Sequence, residues 1–253
     1  MIDIQKSLEN RGIFLDKVGI RGFQRPIQLQ IGTEVCPTVA NLNAYVSLKA
    51  DERAIHMSRL IEILQMWDGT VNNQTILHLL SSMRKRLESD NSYLEIMFPY
   101  FMKKSAPVSQ KIGFMNYDCI ISARLNHEQV HFDITVITQI TSVCPCSKAI
   151  SQYGAHNQRG KVKVKINDFD ICDLKKVIEI IEESGSSQLY SVLKRKDEKF
   201  VTEAAFNSPK FVEDIARDVN INIKNKTNWN ISDLSVENYE SIHNHNAYSE
   251  ICR

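Results

Sequence analysis

Two kinds of apolar periodicity alternate along this chain, and their order constrains the fold more than any single residue does. Ile27-Gln28-Leu29-Gln30-Ile31 and the run from Val39 to Leu48 alternate with period two, which predicts a strand and its hairpin partner. A short apolar run, Ile13-Phe14-Leu15, precedes them. Leu60, Ile61, Leu64 and Trp67, then Ile76, Leu79, Leu80 and Met83, fall at helical spacing. Residues 93–103 and 111–124 return to strand-like composition, rich in Tyr, Ile, Phe and Met.

The order then recurs. Phe132, Ile134, Val136, Thr138 and Ile140 alternate with Asp133, Thr135, Ile137, Gln139 and Thr141, and Val162, Val164 and Ile166 alternate with Lys161, Lys163 and Lys165. Leu174, Val177, Ile178 and Ile181 take the i, i+3, i+4, i+7 positions of a helix. Ser208-Pro209 has the form of an N-cap followed by proline at N1, opening a helix that buries Val212, Ile215, Ala216 and Val219. The segment from Trp229 to Tyr248 predicts two closing strands. Two strands, two helices and two strands, met twice, predict an α+β protein of two tandem ββααββ modules, with antiparallel sheets carrying helices on one face. The modules are 1–127 and 128–253, with the turn between them at Asn126-His127-Glu128-Gln129. No Pro/Gly-rich linker separates them, so a continuous sheet is expected.

Charge excludes some partners. With 31 basic and 30 acidic residues the net charge is +1, so no global field draws the chain to nucleic acid or an anionic membrane. Met1-Ile2-Asp3-Ile4-Gln5-Lys6 lacks the apolar segment of a signal peptide, and no apolar run reaches the ~18 residues of a membrane span. Six scattered cysteines without a secretion signal do not form a disulfide framework, and the cytoplasm is the expected compartment.

The chemistry concentrates in Cys144-Pro145-Cys146-Ser147-Lys148 and Gly154-Ala155-His156-Asn157-Gln158-Arg159-Gly160. Thiolate and imidazole are favoured ligands of a borderline-soft divalent metal. On extended backbone Cys144 and Cys146 point to the same side, and Pro145 stiffens the turn where the strand ends. One thiolate holding a metal with the other near a substrate, two partly buried cysteines, and a strained redox pair are all open readings of such a pair. Elsewhere, Arg195-Lys196-Asp197-Glu198 interrupts a helical region and reads as a solvated surface. His243 and His245 face one side if they lie on a strand, where they suit proton transfer near neutral pH. Glu213 with Arg217 forms an i,i+4 ion pair, or its carboxylate receives the paired N–H donors of a planar edge such as guanine.

Taken together, these segments resemble the prokaryotic type IB GTP cyclohydrolase I family, from about residue 3 to residue 250. The resemblance rests on Arg53-Ala54-Ile55-His56-Met57-Ser58-Arg59, the two segments around Cys144 and His156 (the latter from Tyr153), Asn207-Ser208-Pro209-Lys210-Phe211-Val212-Glu213-Asp214 and His243-Asn244-His245-Asn246-Ala247-Tyr248. One departure is Arg53-Ala54, where the family pattern has Lys-Gly. The resemblance implies a tunnelling fold (T-fold) and a homotetramer with active sites at subunit interfaces. It implies one divalent metal per site, zinc, manganese or iron, on Cys144, His156 and Glu198. It makes Cys144, Cys146, His243 and His245 the catalytic group and Glu213 the anchor of the guanine edge. The implied reaction converts GTP and water to 7,8-dihydroneopterin triphosphate and formate, the entry to pterin and folate synthesis. Lys148, Arg159, Lys161, Arg195 and Lys196 are candidate triphosphate partners by position. A nitrile reductase of the same fold, or a zinc-stapled binding module, are the competing classes. The first lacks a matching signature, and the second lacks a fourth nearby ligand.

Overall fold

In the computed structural model, residues 5, 7–127 and 129–252 are described. The run Met1 to Ile4, Lys6 and, in the expected inter-module turn, Glu128 lie outside the described residues. Among the described residues nine strands and six helices form. The strands are β1 (Leu15–Ile31), β2 (Glu34–Leu48), β3 (Thr70–Val71), β4 (Asn91–Ser105), β5 (Ile112–Asn126), β6 (Gln129–Val143), β7 (Asn157–Asn167), β8 (Asn230–Asn238) and β9 (Ala247–Cys252). The helices are α1 (Met57–Met66), α2 (Asn73–Leu87), α3 (Pro145–Ile150), α4 (Leu174–Glu183), α5 (Arg195–Asn207) and α6 (Val212–Lys226). The strand order in the sheet is β3-β1-β2-β4-β5-β6-β7-β8-β9. β1–β2, β7–β8 and β8–β9 pair antiparallel, and the two-residue β3 runs parallel to β1.

The chain divides into two compact units of interleaved segments. One comprises Met1–Pro99, Ile120–Ile134 and Asp168–Cys172, and the other Tyr100–Cys119, Thr135–Asn167 and Asp173–Arg253. In the first, the expected alternation buries Leu42, Ala44 and Val46 of β2 with Leu94 and Ile96 of β4. The helical spacings bury Leu60 and Leu64 of α1 with Leu80 and Met83 of α2. Asn72 starts α2, accepting the Thr75 N–H at 2.7 Å while the Thr75 hydroxyl oxygen accepts the Asn72 N–H at 3.1 Å.

The second unit carries every candidate site residue. Val162, Val164 and Ile166 of β7 are buried while their lysine neighbours are not, as the alternation predicts. Leu234 and Val236 of β8, Ile178 and Ile181 of α4, and Ile215 and Val219 of α6 complete this core.

The helical region before β8 departs from the sequence reading. Arg195 to Glu198 do not interrupt a helix but begin one, since they form the first turn of α5. Ser208 does not open a helix; it closes α5, its N–H reaching the Ala204 and Ala205 carbonyls at 3.2 Å. Pro209 disfavours helical backbone at Ser208, so the chain breaks there. The next helix starts at Val212, where Asp214 accepts the Phe211 N–H at 3.0 Å. The two closing strands form, but His243 and His245 lie on the loop between β8 and β9 and not on a strand. Asn238 ends β8 before the histidine pair, and β9 resumes only at Ala247.

Candidate active site

The segment from Cys144 to His156 closes on itself through its backbone. Cys144 N–H donates to the His156 carbonyl at 3.1 Å. His156 N–H donates to Ser147 Oγ at 3.2 Å, and that hydroxyl donates to the Cys144 carbonyl at 3.3 Å. β6 ends at Val143, and Pro145 occupies the first position of α3, where its missing N–H leaves no donor unsatisfied. Cys144 is therefore the N-cap of a helical turn, its sulfur accepting the Ser147 N–H at 3.5 Å. The extended backbone expected through the pair stops at Cys144, because Cys146 already sits within α3, where it is exposed. Same-side projection of the two thiols no longer follows.

Two glycines of the second motif have different reasons. Gly154 has φ +131°, a backbone conformation that L side chains rarely adopt. Gly160 is required by close approach within the protein rather than by a ligand, since a Cβ there would stand 2.5 Å from Asn238 Oδ1.

His156 Nδ1 lies 2.9 Å from Gln158 Oε1 and 3.7 Å from Glu240 Oε2. Gln158 and Glu240 are the residues that the sequence reading missed. Gln158 stands two positions after His156 at the start of β7, where same-face placement was the available signal. Glu240 stands three positions before His243, and only the turn after β8 brings it to His156. The His243 and His245 rings stack, their centroids 5.0 Å apart and their planes at 22°. Both are exposed on their loop.

Glu198 follows the fully buried Asp197 in the first turn of α5 and is itself exposed. The Cys144 sulfur, a His156 ring nitrogen and a Glu198 carboxylate oxygen do not all lie within 4.8 Å of one another. The donor set nonetheless suits a divalent ion. The Cys144 sulfur at the start of α3 and a His156 imidazole whose Nδ1 is occupied by hydrogen bonding leave Sγ and Nε2 as the available ligand atoms. Among the described residues the trio that does fall within 4.8 Å is Asp233, Glu250 and Cys252, on β8 and β9.

Glu213 lies exposed in the first turn of α6. The expected ion pair with Arg217 does not form: Arg217 pairs with Asp214 at 3.6 Å, one turn position nearer. Of the candidate phosphate cations, Lys148 is engaged at the C-terminal end of α5, donating to the Phe206 carbonyl at 2.5 Å and standing 4.4 Å over the Phe206 ring. A cavity of about 750 Å³ adjoins the Cys144–His156 segment, lined by Val143, Tyr153, Ala155 and Asn157 on one side and by Val201 and Phe206 of α5 on the other. That volume lies in the range of small-molecule sites.

Among the described residues no helix is long and apolar enough to cross a membrane. The uricase from Arthrobacter globiformis has the same overall fold, with a TM-score of 0.51 over 94% of this chain and 93% of that chain. At 7% identity the likeness concerns the T-fold alone. Among curated relatives, GTP cyclohydrolase FolE2 of Desulfosudis oleivorans is 44% identical over 99% of this chain and 97% of its own length. GTP cyclohydrolase FolE2 of Fervidobacterium nodosum is 43% identical over 98% of this chain and 95% of its own length. The family described as GCHY-1, type I GTP cyclohydrolase folE2, matches residues 1–249. With the T-fold and a full-length match together, the chain belongs to the type I GTP cyclohydrolase FolE2 family.

Proposed function

We propose that this chain hydrolyses GTP to 7,8-dihydroneopterin triphosphate and formate, with one divalent ion held by Cys144, His156 and Glu198. When bound, zinc, manganese or iron supplies Lewis-acid activation of water. The observation that carries the reading is the closed Cys144–His156 segment. It sets a thiol and an imidazole on one short stretch of backbone beside a cavity of ligand size.

The protein's own groups do the remaining work. The guanine C8 is a poor electrophile until the imidazole-ring nitrogen beside it gains a proton. His243 or His245, stacked on an accessible loop, donates it and carries protons through ring opening and pterin closure. Cys146, exposed on α3, offers a thiol hydrogen bond to the substrate. Glu213 receives the N–H edge of guanine, a role favoured by its freedom from Arg217. We read the chain as two ββααββ modules, 1–127 and 128–253. A homotetrameric assembly, with active sites between subunits, is supported by the outer edge of β9, which ends the strand order among the described residues. The product then enters folate synthesis in the cytoplasm.

The test is to incubate metal-loaded protein with GTP and measure formate and, after oxidation, pterin fluorescence. Turnover with zinc, manganese or iron is expected. Its absence with all three would sink the proposal.

A further inference from the structure

His156 has two ring nitrogens, and the surroundings of one decide where the ring proton sits. Nδ1 faces Gln158 Oε1 at 2.9 Å and Glu240 Oε2 at 3.7 Å. The carboxylate offers only acceptor positions, so the orientation of the Gln158 amide settles the rest. Its Nε2 lies 3.5 Å from Glu240 Oε1 and 3.5 Å from Ser142 Oγ. Ser142 has one hydroxyl proton and directs it to the Lys210 carbonyl at 3.0 Å. Its oxygen is therefore left to accept, and it also accepts from Asn238 Nδ2 at 3.1 Å.

Turning the Gln158 amide over would set its oxygen against a carboxylate and against a hydroxyl with no proton to offer. The amide oxygen therefore faces the imidazole, and both neighbours of Nδ1 are acceptors. Ser142, Gln158 and Asn238 are all buried, with Gln158 only 7% exposed, so water does not compete for these positions.

We infer that Ser142 and Gln158 are positioning residues that hold neutral His156 as its Nδ1–H tautomer, leaving the Nε2 lone pair free. The direction runs from the Lys210 carbonyl, through the Ser142 hydroxyl and the Gln158 amide, to the ring. The consequence for metal binding rests on the proposal that His156 is a metal ligand: Nε2 is ready to coordinate without a change of tautomer.

The experiment uses full-length protein labelled with ¹⁵N-histidine, observed by solid-state NMR before and after zinc loading. The His156 signal is identified by its loss in His156→Gln. The expected metal-free spectrum has a protonated Nδ1 and an unprotonated Nε2. A protonated Nε2, or equal exchange between the two, overturns the inference without any further variant. Gln158→Leu removes the acceptor and is expected to mix the tautomers and to weaken zinc binding roughly 10–100-fold in competition with a chelator. A folded Gln158→Leu protein that keeps both the tautomer and the affinity also overturns it. Undiminished zinc binding by His156→Gln would instead remove the metal reading, while the tautomer result stands by itself.

Discussion

Asp197 receives Ser109 twice, from its backbone N–H at 2.7 Å and from its hydroxyl at 2.6 Å. The same carboxylate accepts Val108 N–H at 2.9 Å and Lys194 N–H at 2.8 Å. One fully buried side chain thus ties the loop between β4 and β5 to the first turn of α5, the turn that carries Glu198.

Burial acts to raise the Asp197 carboxyl, but the hydrogen bonds from Ser109, Lys194 and Val108 outweigh it and hold the group well below the usual carboxylate range. A depressed folded value contributes stability that is present above the unfolded value of about 3.9 and is lost as pH falls through the folded value. Asp197→Asn is therefore expected to be less stable than the wild type at neutral pH. The gap should narrow on acidification below about pH 4, as followed by urea unfolding across a pH series. A gap that is constant with pH would contradict the charge-based account.

Lys104 and Glu182 form a buried pair in the same unit, joined at 2.6 Å with 10% and 2% of their side chains exposed. Tyr117 donates to the other Glu182 oxygen at 2.8 Å. Burial pushes the Lys104 ammonium down and the Tyr117 phenol up, with Glu182 offsetting the first shift and adding to the second. Lys104→Met leaves the Glu182 carboxylate without its cation and is expected to cost about 3–5 kcal/mol in denaturant unfolding. Combining it with Glu182→Leu should recover much of that loss, because the uncompensated charge is then gone.

The proposed metal and proton-transfer roles lie on separate supports, which makes them separable by mutation. Cys144→Ala should lose both bound metal and turnover. His243→Ala and His245→Ala should keep metal content, measured by elemental analysis, while kcat falls by about 10²–10⁴-fold. Loss of metal in either histidine variant would place that imidazole among the ligands instead.

Glu213→Ala should retain metal and fold but fail to hold GTP, read as a large rise in Kd by calorimetry. Normal GTP affinity in that variant would remove the guanine-anchor role. Arg217→Ala is the useful control, because its partner is Asp214 and GTP affinity should not change.

The elements with one strong periodicity were legible: the lysine-alternating run became β7, and the i, i+3, i+4, i+7 set became α4. Local grammar misled where a side chain several residues away decided the boundary. Ser208-Pro209 has the composition of a helix start, yet Asp214 supplies the capping bond at Phe211 and the proline ends the preceding helix. Asp197 stood within a run of charges that normally face water, and nothing local announces that Val108 and Ser109 will meet it. Cys144, His156 and the histidine pair drew attention because their residue types already carry the chemistry. Gln158 and Glu240 were not, since an amide and a carboxylate acquire a role only from the imidazole that folding brings to them.

The short span between Cys144 and His156 also sets an order of loss. Twelve positions separate those two residues, whereas Glu198 stands 54 positions from Cys144. Loop-closure entropy rises by about 0.6 kcal/mol for each doubling, so bringing the carboxylate in costs roughly 1 kcal/mol more than pairing thiol and imidazole. Its place depends in addition on Asp197 holding α5 to the β4–β5 loop. In the proposed metal site the carboxylate is therefore the ligand expected to depart first as the protein loosens, while the backbone bond from Cys144 N–H to the His156 carbonyl keeps the other two residues together.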